Sequence, residues 1–223
     1  RIHYGGIVLD KIKREALIYL GYKNKTPDAK TEKVLEECIL EISNLNSAKY
    51  IYRIYDISQT DENVVFEGTT LKFKSKDFSK HISSSKKAAI ICATLGAQVD
   101  FLINKYNKTD IFRALVFDAC ASAYIEDVCD RAQDEIFEIA EKEGYKITPR
   151  FSPGYGDMPI NLQSKIIKIT NAQKLINLTA TSDCVLIPTK SVTAFLGFTK
   201  ENITSCTNKC LLCNFRDKCN FRR

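Results

Sequence analysis

Apolar residues recur every three to four positions through DKIKREALIYLG (10–21), which predicts an amphipathic helix with Asp10 as N-cap and a stop at Gly21. The same period runs through TPDAKTEKVLEECILEISNL (26–45), entered at Thr26 and Pro27. The pattern then changes to alternation. KYIYRIYDIS (49–58) and NVVFEGTTLKFKS (63–75) are rich in β-branched and aromatic residues and flank a polar QTDEN turn, so they predict a β-hairpin. SKDFSKHISSS (75–85) reads as a short helix opening at Ser75, and KKAAIICATLG (86–96) as a buried strand ending in a glycine turn. From Asp110 to about Gly144, apolar or small residues at 112, 115, 116, 119, 123 and 128, uninterrupted by proline or glycine, predict one long helix. SKIIKIT (164–170) reads as a strand, NAQKLINLT (171–179) as a short helix, and DCVLIPTKSVTAFLGFT (183–199) as a strand pair. Helices and strands do not alternate strictly. The expected fold class is therefore α+β, with a mostly antiparallel twisted sheet and flanking helices.

A chain of 223 residues can bury a substantial core without disulfide staples. Its longest apolar run, near residues 86–97, is too short to span a bilayer, and no charged-then-apolar leader opens it. A cytoplasmic protein with no membrane partner is expected. Cys38, Cys92, Cys120, Cys129 and Cys184 sit in apolar or helical contexts and read as small buried hydrophobes. The formal charge of +6 is unevenly placed. Five basic residues against Asp217 give residues 206–223 a net of +4, leaving +2 for the rest, so a nucleic-acid surface is not expected. Two histidines restrict the chemistry further: His3 lies at the start of the chain, and His81 is expected to be exposed on a polar helix. No nucleophile motif or phosphate-binding glycine loop is present, which leaves hydrolase and kinase readings unsupported.

One loop stands out. RFSPGYGDMP (150–159) holds two of the chain's 9 glycines and two of its 5 prolines. Pro149 and Pro153 keep the backbone extended around Arg150, while Gly154 and Gly156 permit positive φ on both sides of Tyr155. Arg150 suits a bidentate grip on a carboxylate or phosphate, and Tyr155 suits a planar cap. A structural crossover from helix to strand is the alternative. On the long helix, Asp118, Ser122, Glu126 and Asp130 fall four residues apart and form one polar stripe, either a solvated face or a wall of a site.

RFSPGYGDMP resembles the arginine, proline-glycine-tyrosine and proline motif of the reactivation domain of cobalamin-dependent methionine synthase. REALIYLGY, ATLGAQVD, DACASAYIEDVCD and LTATSDCVLIPTKSVTAFLGF are similar, in the same order, to stretches of free-standing relatives of that module. The resemblance implies a helmet-like α+β domain over residues 1–200 that binds S-adenosylmethionine in a shallow groove. It assigns the carboxylate of the bound methionine moiety to Arg150 and contact with the corrin of a docked cobalamin to Tyr155, with Gly154 and Gly156 shaping the loop. The family's acidic ligand on the long helix aligns with Ser122, with Glu126 one turn further on. A second acidic ligand of the family is replaced by Gly144, beside Glu143. No domain for homocysteine, folate or cobalamin is present, so the corrinoid must be carried by a partner, a corrinoid-binding methyltransferase or a methionine synthase core.

The tail, residues 201–223, contains CTNKCLLCNFRDKC, which places Cys206, Cys210, Cys213 and Cys219 in a C-x3-C-x2-C-x5-C spacing. Four thiolates this close can converge on a [4Fe–4S] cluster or on zinc. A single C-x2-C knuckle favours iron–sulfur over a zinc ribbon. The first three cysteines also repeat the spacing of enzymes that cleave S-adenosylmethionine at an open iron, but Cys219 is available to close the fourth position. The surrounding basic residues suit an acidic electron donor such as a flavodoxin or ferredoxin. The expected function is reductive reactivation of a corrinoid-dependent methyltransferase, with an electron relay in the tail. The alternative is a non-redox S-adenosylmethionine-binding subunit of a split methionine synthase, with a structural zinc.

Overall fold

The computed structural model describes residues 6–22, 25–60 and 62–201. The chain order is α1 (Gly6–Tyr19), α2 (Ala29–Asn44), β1 (Lys49–Gln59), β2 (Asn63–Phe66), β3 (Lys72–Lys74), α3 (Lys76–His81), β4 (Lys87–Thr94) and α4 (Ala97–Thr109). It continues through α5 (Ile111–Lys142), β5 (Lys146–Ile147), α6 (Leu162–Thr170), α7 (Ala172–Ile176), β6 (Thr179–Ala180), β7 (Leu186–Ile187) and β8 (Ser191–Thr199). Six strands form one sheet in the order β3-β2-β1-β4-β8-β5, and each of its pairings is antiparallel. The expected α+β class is the observed one.

Three layers follow from the burial of β4. Ala89, Ile91 and Ala93 face a core shared with α1, α2, α4 and α5, while Ala88, Ile90 and Cys92 face a second core shared with α3, α6 and α7. A strand covered on both faces reads as a continuous apolar run, which is why KKAAIICATLG lacks alternation. α5 is the spine of the first core. Its N-terminus is capped by Asp110, whose carboxylate accepts the Arg113 amide at 3.0 Å.

Several element boundaries differ from expectation. α1 begins four residues before Asp10, which lies inside the helix, and α2 is capped by Asp28, not Thr26, through the Thr31 amide at 2.9 Å. The second half of the expected hairpin is two short strands. SKIIKIT belongs to helix α6, with Ile166 and Ile167 buried at its centre, because a run this short has no period that separates strand from buried helix. α4 was not anticipated. β7 and β8 are both strands, but β7 pairs with β6 in a separate ribbon instead of with β8. Cys38, Cys92, Cys120 and Cys129 are buried as expected, whereas Cys184 is partly exposed. Among the described residues, no helix is long and apolar enough to cross a membrane.

Candidate functional site

The loop at 150–159 is held at both ends. Phe151 makes an isolated antiparallel bridge to Phe195 of β8, extending the sheet edge that β5 begins. At the other end, Asp157 accepts from the Ser75 hydroxyl at 2.5 Å and from the Lys76 amide at 2.7 Å, while the Asp77 carboxylate accepts the Asp157 amide at 3.1 Å. Burial pushes the Asp157 carboxyl upward, but the bonds from Ser75, Lys76 and Asp77 outweigh it and hold the group below its ordinary value. The loop is thus clasped to the start of α3. Gly154 (φ +91°) and Gly156 (φ +53°) occupy the left-handed region, and a Cβ on Gly156 would overlap the Asp77 carboxylate. Between them Tyr155 projects from the turn, 60% exposed, with its ring edge-on to Phe151.

His81 is a second clasp. Contrary to the expectation of an exposed histidine, its ring packs against Phe78 and Phe151, and its Nε2 lies 2.8 Å from the Pro149 carbonyl, one residue before Arg150. Burial holds the imidazole below its ordinary value, against a smaller opposite pull from Pro149. The unfolded chain therefore binds a proton more readily than the folded one. Stability contributed by neutral His81 should be complete above its ordinary value of 6.5 and be lost as pH falls from there through the lower folded value. Urea unfolding between pH 8 and 5 should give a falling midpoint, with an added slope of up to about 1.4 kcal/mol per pH unit that His81→Gln removes.

Behind the loop lies a cleft of about 390 Å³, within the range of small-molecule sites. Lys11 and Glu15 of α1 and Glu126, Asp127 and Asp130 of α5 form one wall, while Arg150, Ser152 and Tyr155 come from the loop. Gln163 of α6 and Ser191 and Thr193 of β8 complete it. The Arg150 guanidinium, only 8% exposed, bridges the wall: Nη1 donates to Asp130 at 2.6 Å and Nη2 to Glu126 at 2.7 Å. Lys11 reaches Asp130 from the other side at 2.6 Å. Burial would push Asp130 upward, but Lys11 and Arg150 prevail and hold it below the ordinary carboxylate value.

Of the residues expected at a site, Arg150, Tyr155 and Glu126 line the same cleft, and Gly154 and Gly156 shape the turn above it. Ser122 is engaged elsewhere, accepting from Lys190 Nζ at 2.9 Å beside the Lys190–Asp118 ion pair. The polar stripe of α5 is therefore no solvated face: its upper half pairs with Lys190 and its lower half with Arg150. Sequence reasoning missed Lys11 and Glu15, whose four-residue spacing on one helix was the available signal, and Gln163, hidden by the strand reading of its neighbours. Cys206, Cys210, Cys213 and Cys219 lie outside the described residues, as does His3. Among the described residues, no group of histidine, cysteine or acidic side chains is arranged to hold a metal.

A six-stranded antiparallel sheet with flanking helices is the architecture of a reactivation-domain fold. The particular neighbour is the MetH reactivation domain bound to AdoHcy, matched at a TM-score of 0.63 and 12% identity over 88% of this chain and 77% of that one. No family model and no curated protein matches the sequence. At this identity the likeness establishes the fold.

Proposed function

We propose that this chain is an accessory protein for reductive reactivation of a corrinoid-dependent methyltransferase of the methionine synthase type. It binds S-adenosylmethionine in the cleft and docks on a corrinoid carried by the partner methyltransferase or methionine synthase core. The observation that carries this reading is the convergence of Arg150, Glu126 and exposed Tyr155 on one cleft in a fold shared with a reactivation domain. That neighbour was bound to AdoHcy, the demethylated form of the ligand proposed here. Gln163 also lines the cleft, where its Oε1 accepts from the Thr193 hydroxyl at 2.6 Å.

Arg150 takes the ligand carboxylate, at the cost of loosening one of its two present carboxylate partners, and Glu126 is the partner with more access to water. Gly154 and Gly156 present Tyr155 over the mouth as the surface on which the corrin rests, and Ser122 with Lys190 holds the upper end of the α5 wall. Residues 1–200 form this binding domain. In the tail, Cys206, Cys210, Cys213 and Cys219 hold a [4Fe–4S] cluster, which supplies one-electron transfer from a flavodoxin or ferredoxin.

Calorimetric titration of S-adenosylmethionine, with iron and sulfide analysis of protein purified without oxygen, tests both halves. Micromolar binding and about four iron and four sulfide per chain are expected. No binding would overturn the cleft assignment. Stoichiometric zinc without sulfide would overturn the electron relay and support the non-redox subunit of a split methionine synthase.

A further inference from the structure

The six-stranded sheet is blunted at its two outer edges but open along an inner strand. β3, the last strand on one side, is three residues long with Lys72 and Lys74 flanking Phe73, and β5, the last on the other, has two. Short or charged strands of this kind protect a sheet edge from further pairing. β1 is different. It pairs with β4 all the way from Lys49 to Asp56, yet β2 covers only Ile57–Gln59 on its other side, with one further bond from the Glu67 amide to the Asp56 carbonyl at 2.9 Å. From Lys49 to Tyr55, no strand pairs with that side among the described residues. The Ile57 amide points to β4, where it donates to the Lys86 carbonyl at 2.9 Å, while the Asp56 carbonyl points the other way. Counting back in twos, Tyr50, Tyr52 and Ile54 turn their amides and carbonyls to the open side. Tyr50, Tyr52 and Ile54 are half-buried against the first core and Ile51 and Tyr55 against the second, which leaves only Lys49 and Arg53 exposed in this segment.

We propose that this edge pairs with the same edge of a second copy of the chain, joining two sheets antiparallel about a twofold axis through Tyr52. The open window selects that partner. It is bounded at one end by the Glu67 bond and at the other by the start of β1 at Lys49, so Tyr52 is its midpoint and a copy of the same segment fills it from end to end. An axis through Ile51, Tyr52 or Arg53 would match the outward-facing groups of the two copies. Through Arg53 it would set Arg53 directly against Arg53, and through Ile51 it would set Lys49 against Arg53; like charges directly opposite destabilise a strand pair. Through Tyr52, Lys49 faces Tyr55 and Arg53 faces Ile51, while on the other face Tyr52 meets Tyr52 and Tyr50 meets Ile54. Aromatic–aromatic and aromatic–β-branched pairs are favourable, and the outward-facing groups supply about six backbone hydrogen bonds across the junction. β4 and β8 separate β1 from the Phe151 bridge, so the two clefts lie on the far side of each sheet from the junction. The inference does not depend on what the cleft binds.

Sedimentation velocity on the full chain between about 1 and 100 µM, with amide hydrogen exchange at both limits, tests the pairing. A reversible dimer is expected, with exchange at Tyr50, Tyr52 and Ile54 slowed at the higher concentration. Tyr52→Pro removes an outward amide that makes no bond to β4, so the monomer keeps its ladder, the junction loses its central bonds and the variant should stay monomeric. Ile51 reads the register independently, because it lies opposite Arg53 twice in the dimer. Ile51→Glu should dimerise about tenfold more tightly than Ile51→Lys, although both lose the same apolar contact. A monomer across the whole range with fast exchange at the three amides would overturn the inference. So would a dimer indifferent to all three substitutions, which would place the contact elsewhere. Slow exchange at the three amides in a monomeric chain would also overturn it, since another segment of the same chain would then cover the edge.

Discussion

Arg150→Ala is expected to lower the unfolding free energy by about 2 kcal/mol and to remove measurable S-adenosylmethionine binding. Its guanidinium bridges Glu126 and Asp130 in the cleft wall, and it is 8% exposed. Removing one member of a fully buried pair costs roughly 3–5 kcal/mol because the other charge is stranded. The loss here is smaller. Glu126 and Asp130 retain 41% and 33% exposure, and Lys11 still pairs with Asp130. Two further variants distinguish structural from binding loss. Arg150→Ala combined with Glu126→Gln should regain about half the stability, since Glu126 is the carboxylate left without its cation while Asp130 keeps Lys11, yet should not regain binding. Arg150→Lys keeps the charge but lacks the planar fork that spans two carboxylates, so it should fold nearly as well as wild type and bind weakly. Urea unfolding and calorimetry on the three variants check this. Wild-type affinity in Arg150→Ala would remove the residue from the site.

Gly156→Ala should have the second largest effect, acting on the loop instead of the charge network. Left-handed backbone costs a non-glycine residue about 1–2 kcal/mol, and the added Cβ would also overlap the Asp77 carboxylate. Relief requires Asp77 to move, which breaks its bond to the Asp157 amide and loosens the clasp that Asp157 makes with Ser75 and Lys76. A total loss of about 2–3 kcal/mol is expected, with about a tenfold loss in affinity as Tyr155 leaves the cleft mouth. Asp77→Ala in the Gly156→Ala background removes the obstacle and should recover part of the stability. Gly154→Ala provides the milder comparison, because the atom its Cβ meets is the terminal Cδ1 of Ile160 at 3.2 Å, which can yield. Equal stability of Gly156→Ala and wild type would show that the Asp77 contact does not constrain the loop.

These two residues were visible in the sequence for different reasons. Gly156 announced itself by composition, as part of a glycine- and proline-dense loop, and the left-handed backbone there is a local property. Arg150 could be named as an anion grip from residue type alone, but its partners could not. Asp130 lies 20 residues away and Glu126 24 residues away, on a helix whose polar stripe was compatible with a solvated surface. His81 shows the opposite error: a polar local sequence suggested exposure, whereas Phe78, Phe151 and the Pro149 carbonyl enclose it.

What the sequence determined by itself was everything set by short-range periodicity and local backbone chemistry. It specified the long helix running from Asp110, the short helix opening at Ser75, the buried strand β4, the antiparallel α+β class and the turn that presents Tyr155. Only the tertiary structure decided which polar groups would meet. The identity of α6, the pairing of β7 with β6, the partial burial of His81 and the gathering of Lys11, Glu15, Asp130, Arg150 and Gln163 around one cleft all depend on long-range packing. A short apolar run or a four-residue polar stripe is compatible with more than one environment, and the choice among them is made by the burial of apolar area elsewhere in the chain.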